Sequence, residues 1–169
     1  MGRPLAEEAA TYYSTYIDQI SSNNILEVLE SQLRDTPVFL ISISEEKSLH
    51  RYAPEKWSIR QVLNHINDTE RVFSFRAFWF GRGFRDALPS FDQTISAEAA
   101  RADEYSWASH VHEFRKIRQA TLALFHNLPG EAWVRSGIAS GNLVTVNALA
   151  YIIAGHVAHH IAILKERYF

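Results

Sequence analysis

The chain has no cysteine. Disulfides, thiolate metal ligands and a cysteine nucleophile are therefore excluded, and any metal site has to be built from nitrogen and oxygen. It also lacks a long Lys/Arg run: 17 basic against 19 acidic side chains leave a formal net charge of -2. Nothing in that balance is built to neutralise nucleic-acid phosphates. No stretch approaches the roughly 18 uninterrupted apolar residues of a membrane span. Met1 to Ala10 carries Glu7 and Glu8 where a secretory leader needs an apolar run. The expectation is a cytoplasmic protein with neither a nucleic-acid nor a membrane partner. Strict two-residue alternation between turn signals is missing too, so strands are not expected.

What the sequence does contain is helical periodicity. Apolar residues make up 47% of 169 positions and aromatic residues 12%, distributed along the whole length. A chain of that size buries roughly 70% of its unfolded surface, so one domain over residues 1–169 with one core is expected. Four long segments carry the 3.6-residue period. The first runs from about Asn24 to Ile43 on Ile25, Leu29, Leu33 and Leu40, with a kink expected near Asp35 because Pro37 interrupts it. The second starts at Ser58, which forms an S-x-x-Q capping box with Gln61, and ends at Gly81 and Gly83. Its stripe is Ile59, Val62, Ile66, Phe73, Ala77 and Phe80, with Arg60, Asn64 and Arg71 pointing elsewhere. The third runs from about Ser106 to Asn127 and stops at Pro129-Gly130; the fourth runs from about Thr145 to Arg167. Ahead of them, Tyr12, Tyr13, Tyr16 and Ile17 suggest a short N-terminal helix packed across the others.

An all-α four-helix bundle follows, and one connection is informative about its order. Gly81 to Tyr105 is far longer than the roughly 2 to 8 residues of an ordinary bundle connection. A crossover of that length runs the bundle's full height and makes helices two and three parallel, an up-down-down-up order. Ser96 to Asp103 reads as a short helix within it, with Phe84, Phe91 and Tyr105 as apolar anchors.

Eight histidines are present, and most have ordinary explanations. His50, His110, His112 and His126 lie near helix ends or on polar faces, where a solvated imidazole needs no special reason. His156 and His160 differ. Four residues of helix turn through about 400°, so these imidazoles lie about 40° apart and one turn above each other, the usual way a helix offers a metal two nitrogens. His159 falls to the far side and is kept as a flanking residue. His65 is the best third ligand on height. It lies ~10 Å along helix two and His160 lies ~10 Å from the end of helix four, so antiparallel neighbours are level. Parallel neighbours would leave His65 ~9 Å below the pair.

Asp68, three residues after His65, is a candidate acceptor for a ligand imidazole, whereas Glu70 reads as a solvated helix residue. Arg76, Arg118 and Tyr151 lie close to apolar stripes and read as snorkelling or core hydrogen-bonding groups before substrate-orienting ones. Val157 stands where a zinc-protease helix has its glutamate base, which disfavours peptidase chemistry. Ile153 and Val62 stand where a di-iron carboxylate bundle has glutamates, which removes that reading.

Three pieces of the chain, taken together, resemble the DinB-like (DinB/YfiT-like) superfamily of metalloenzymes. They are Lys56-Trp57-Ser58-Ile59-Arg60-Gln61-Val62-Leu63-Asn64-His65 followed by Asp68, Phe114-Arg115-Lys116-Ile117-Arg118, and Gly155-His156-Val157-Ala158-His159-His160. The resemblance implies an up-down-down-up bundle holding a metal, often nickel or zinc, on His65, His156 and His160. It also implies relatives that include transferases and isomerases using low-molecular-weight thiols, and homodimers. Histidine-only sites also accept iron and copper. The expected function is a metal-dependent transferase or hydrolase in which the ion activates water or a small thiol from outside the protein. The competing expectation is a stress-related metal-binding or interaction module without catalysis. No general base is assigned.

Overall fold

The computed structural model describes residues 2–169. Two 3-10 turns, Ala6–Glu8 and Thr11–Tyr13, lead into α1 (Ser14–Ile17), followed by α2 (Ile25–Ile41), α3 (Ile59–Gly81), α4 (Gln93–Ala100) and α5 (Trp107–His126). A hairpin, β1 (Ser136–Ala139) and β2 (Asn142–Thr145), precedes the last helix, α6 (Val146–Arg167). The long helices start where a side chain can satisfy an orphan amide. Ser58 Oγ accepts from the Gln61 amide at 3.1 Å while Gln61 Oε1 accepts from the Ser58 amide at 3.0 Å. Ser106 and Thr145 cap α5 and α6 by accepting from the Ser109 and Ala148 amides.

The core centres on α6. Every residue from Val146 to Val157 is buried, so this helix is enclosed on all sides rather than on one stripe. By length and composition α6 is apolar enough to cross a membrane, but 67% of its apolar window is buried inside the protein, as a central core helix requires.

Contacts along the helices set their relative directions. Tyr168 Oη donates to the Trp57 carbonyl at 2.8 Å at one end of the α3–α6 pair, and Gly81 lies against Val146 at the other. These two helices run in opposite directions. Arg60 donates to the Tyr105 carbonyl at 2.6 Å and Asn67 to the His110 carbonyl at 3.2 Å, so α3 and α5 run in the same direction. The residues between them form the crossover, which is tied to the hairpin. Leu88 donates to the Ile138 carbonyl at 2.9 Å and accepts from the Ser140 amide at 3.1 Å.

At mid-height one polar cluster joins all four long helices. Arg118 on α5 is fully buried and meets both oxygens of Glu70 on α3 at 2.8 and 2.9 Å. Its Nη1 donates to Gln32 Oε1 on α2 at 2.7 Å, and Gln32 Nε2 donates to the Ala154 carbonyl on α6 at 2.8 Å.

Several expectations need correction. The hairpin was not expected; its strands are four residues each, too short to display alternation, and the signal was Ser140-Gly141, whose φ values of 53° and 77° suit a two-residue turn. The crossover helix starts earlier than expected, at Gln93, because Asp92 caps it by accepting from the Thr94 and Ile95 amides. Tyr105 does not anchor the crossover, being 58% exposed; Phe84 stacks on Trp79 of α3 at 4.2 Å, and buried Ala97 and Ala102 add further anchors. Arg60 and Asn64 point inward rather than to solvent, Arg60 onto Glu45 and Ser48. Glu70 is buried rather than solvated because Arg118 satisfies both its oxygens. His110 is buried, not solvated, with Nε2 2.9 Å from the Ala102 carbonyl. α2 runs on through Pro37, which is itself buried.

Removing one partner of a buried pair strands the other charge, at about 3–5 kcal/mol. Glu70→Leu is expected to lose about that much stability by urea denaturation, and the double variant Glu70→Leu/Arg118→Met less than the single one.

Candidate metal centre

The site lies where α3 and α6 cross. His65 comes from the second turn of α3, and His156 and His160 come from adjacent turns of α6. His65 and His156 are buried and His160 half-buried. The three Nε2 atoms converge: His65 to His156 is 3.0 Å and His156 to His160 is 3.1 Å. One ring nitrogen from each of the three lies within 4.8 Å of the others.

This arrangement has a hydrogen-bonding problem. A neutral imidazole nitrogen carries either one proton or one lone pair. Nε2 of His156 has a neighbour on each side and cannot serve both with one proton or one lone pair. Charging the rings would not help, because burial opposes it. Desolvation holds His65 down to about 4, against a small opposing effect of Asp68, and holds His160, helped by His65 and His159, down to about 3. Burial first, then the neighbouring histidines, push His156 well below its ordinary value. All three rings are therefore neutral near neutral pH. A cation accepts a lone pair from each ring, and ligand distances of about 2.0–2.1 Å place two nitrogens of one ion about 3 Å apart. The donor set suits a divalent metal.

The model of the DinB superfamily matches residues 29–164. The chain belongs to the DinB superfamily. Among solved structures, this DinB chain is similar to YfiT from Bacillus subtilis, described as a probable metal-dependent hydrolase with an unusual four-helix bundle topology. The TM-score is 0.71 at 16% identity, over 98% of this chain and 91% of that one. It is also similar to a mycothiol-dependent maleylpyruvate isomerase, with TM-score 0.63 at 11% identity, over 81% of this chain and 58% of that one. At these identities the likeness shows the fold. A sequence comparison with curated proteins found no match.

Within the DinB fold, the residues around the histidines are not all those the sequence suggested. The group facing His65 Nδ1 is Thr69 Oγ1, at 3.4 Å. Asp68 instead bonds Asn64 Nδ2 and Ser96 Oγ, both at 3.0 Å, and pairs with Arg71. Thr69 was legible as the i+4 neighbour on the face of His65, a better match in azimuth than the i+3 acid. His159 flanks the site: its ring lies 5.5 Å from Tyr16 and 5.1 Å from His160, edge to face. Of the histidines set aside, His126 faces Glu30 on the surface at 3.0 Å.

The N-terminal segment closes the other side. Tyr16 packs edge-on against His156 at 5.2 Å, and its backbone carbonyl sits where a Cβ at position 155 would be. Gly155 is what lets α1 approach α6 one residue before a histidine of the cluster. An open pocket beside the triad is lined by His65, His156, Thr69, Phe73, Tyr12 and Tyr16. The missed hairpin contributes as well, because Ser140 at its tip reaches that pocket.

The depressed histidines predict a pH dependence. Unfolding returns them to about 6.5, so below that pH the unfolded chain binds protons that the fold refuses. Metal-free protein is expected to lose stability as pH falls from about 6.5 toward the folded values of His65 and His160, about 4 and about 3. Urea midpoints near pH 7 and near pH 5 check this: a wild-type drop that shrinks in His65→Gln/His160→Gln is expected. A second expectation is that Gly155→Ala displaces α1, seen as increased exposure of the Tyr16 segment to protease.

Proposed function

We propose that this chain is a metal-dependent enzyme acting on a small molecule, a hydrolase or a transferase that uses a low-molecular-weight thiol. His65, His156 and His160 hold one divalent cation, with nickel or zinc ahead of iron or copper. The observation that carries the reading is the cluster of three neutral Nε2 atoms, two contacts of which are only 3.0 and 3.1 Å, with no set of protons that satisfies them. The reading takes the four long helices in up-down-down-up order, which the α3–α6 and α3–α5 contacts support. The similarity of the fold to a probable metal-dependent hydrolase, YfiT, and to a mycothiol-dependent isomerase is in keeping with it.

A divalent cation bound by three neutral imidazoles keeps its full charge and supplies Lewis acidity toward a water or a thiol. The chain's own residues do the rest. Thr69 steadies the His65 ring through Nδ1. The Tyr16 hydroxyl lies 3.2 Å from that of Tyr12, and burial, then this contact, raise its pKa, so it stays protonated. Phe73, which is buried, gives the pocket an apolar wall. The chain has no cysteine, so a reacting thiol is a cosubstrate. The open pocket next to the triad favours catalysis over a binding module, because a purely structural site is closed.

Elemental analysis of untagged wild-type and His156→Ala protein tests the premise. About one metal ion per wild-type chain and at least tenfold less in the variant is expected. Turnover of activated esters, and of activated halides with a panel of thiols, is expected to fall with chelation and to return with nickel or zinc. Metal absent from both proteins, or turnover indifferent to chelation, would contradict the reading.

A further inference from the structure

Among the described residues three arginines are more than nine-tenths buried: Arg60 at 5% exposure, Arg76 at 4% and Arg118 at 0%. Two of them have a carboxylate, Arg60 with Glu45 at 2.5 Å and Arg118 with Glu70 at 2.8 Å. Arg76 has none. Its Nη2 donates to the Pro89 carbonyl and to Ser140 Oγ, both at 3.0 Å, and these are neutral acceptors. Nε and Nη1 make no hydrogen bond to the protein among the described residues. A guanidinium stays charged at any ordinary pH, and a buried charge without a counter-charge is unfavourable. The third buried arginine therefore has no carboxylate partner, and its unbonded nitrogens are open to the pocket rather than sealed in the core.

Its position says where the missing partner goes. His65, Thr69, Phe73 and Arg76 follow one another on one face of α3 and all line the same pocket. The Arg76 guanidinium carbon lies 5.5 Å from the centre of the Phe73 ring, so the side chain folds back along the helix toward the histidines. Phe73 is two turns, ~12 Å of helix, from His65. The neutral groups that grip Nη2 come from the crossover and from the hairpin tip, two segments joined through Leu88 and Ser140. They hold the guanidinium in place without neutralising it.

We propose that Arg76 is the anchor for a carboxylate on the small-molecule substrate, which then reaches along Phe73 with its reactive end at the histidine cluster. This rests on the reading of the pocket as the substrate site. A carboxylate matches the planar fork of the guanidinium and supplies the charge the site lacks. Arg76 is a binding and positioning residue, and the choice of substrate follows from it: molecules with an anionic end are accepted and their neutral isosteres are not.

Calorimetric titration of the full chain with succinate, succinamide and inorganic phosphate tests this, using wild type, Arg76→Met, Arg76→Lys and His156→Ala. Wild type is expected to bind succinate and not succinamide. Arg76→Met is expected to weaken succinate binding at least tenfold and Arg76→Lys less, with metal content unchanged in both. His156→Ala is expected to retain succinate binding whatever its metal content, which separates this proposal from the metal assignment. Melting temperature guards against a folding defect: succinate raises it in wild type and leaves it unmoved in Arg76→Met. Succinate binding lost in His156→Ala but kept in Arg76→Met would place the anion at the histidines and overturn the proposal. Equal binding of succinate and succinamide, phosphate binding with no succinate binding, or no binding of any probe to wild type would overturn it too. So would equal losses of succinate binding and of melting temperature in Arg76→Met and Arg76→Lys, which mark an arginine needed for the fold rather than for the anion.

Discussion

The placement of the histidines depends on a buried ion pair that is not among them. Arg118 and Glu70 meet through two parallel hydrogen bonds with almost no solvent, and the arginine's remaining reach goes to Gln32. Gln32 in turn holds the Ala154 carbonyl, two residues before His156. A bidentate guanidinium–carboxylate pair is directional, so it fixes α3 against α5 in both height and rotation. The rotation of α6 is held by polar contacts as well as apolar ones: the chain from Glu70 through Arg118 and Gln32 to Ala154, and Tyr151 Oη donating to the Ser22 carbonyl at 3.0 Å. His65 sits one turn and a residue before Glu70 on the same helix.

With that frame in place, the site is assembled from burial and close packing. Burial makes the three imidazoles poor bases toward protons, so each stays neutral and keeps one ring lone pair to offer a cation. Close packing holds them together: Trp57 lies 5.1 Å from the His65 ring and Tyr16 lies 5.2 Å from His156. Gly155 admits Tyr16, and the crossover and hairpin bring Pro89 and Ser140 to the outer end of the pocket. The pocket therefore has two polar ends of different kind, a lone-pair cluster at one and an uncompensated guanidinium at the other, with Phe73 between them.

Much of this was legible in the sequence because it depends on local rules. The capping box at Ser58, the stops at Gly81 and Pro129-Gly130, and the i,i+4 pair His156/His160 need only helix geometry. His65 was reached through crossover length and helical height, a weaker signal, and the structure places its ring beside those of His156 and His160. What was not legible depends on tertiary pairing. Glu70 looks like a solvated acid until Arg118 is set opposite it, and a single chain gives no sign of which arginine that is. Thr69 was passed over because an acid was sought for an imidazole. The hairpin was passed over because four-residue strands show no period, although Ser140-Gly141 marked its turn. Each of these concerns the surroundings of a functional residue rather than the residue itself.

The proposed metal site requires three particular nitrogens to act together on one ion. Nitrogen-15 spectra of the histidine side chains during a zinc titration of metal-free protein address it directly. The Nε2 signals of His65, His156 and His160 are expected to move together and reach their end point at one ion per chain, while those of His159, His110 and the surface histidines stay in place. Separate end points for the three, movement of His159 in place of one of them, or no change on adding zinc would contradict it.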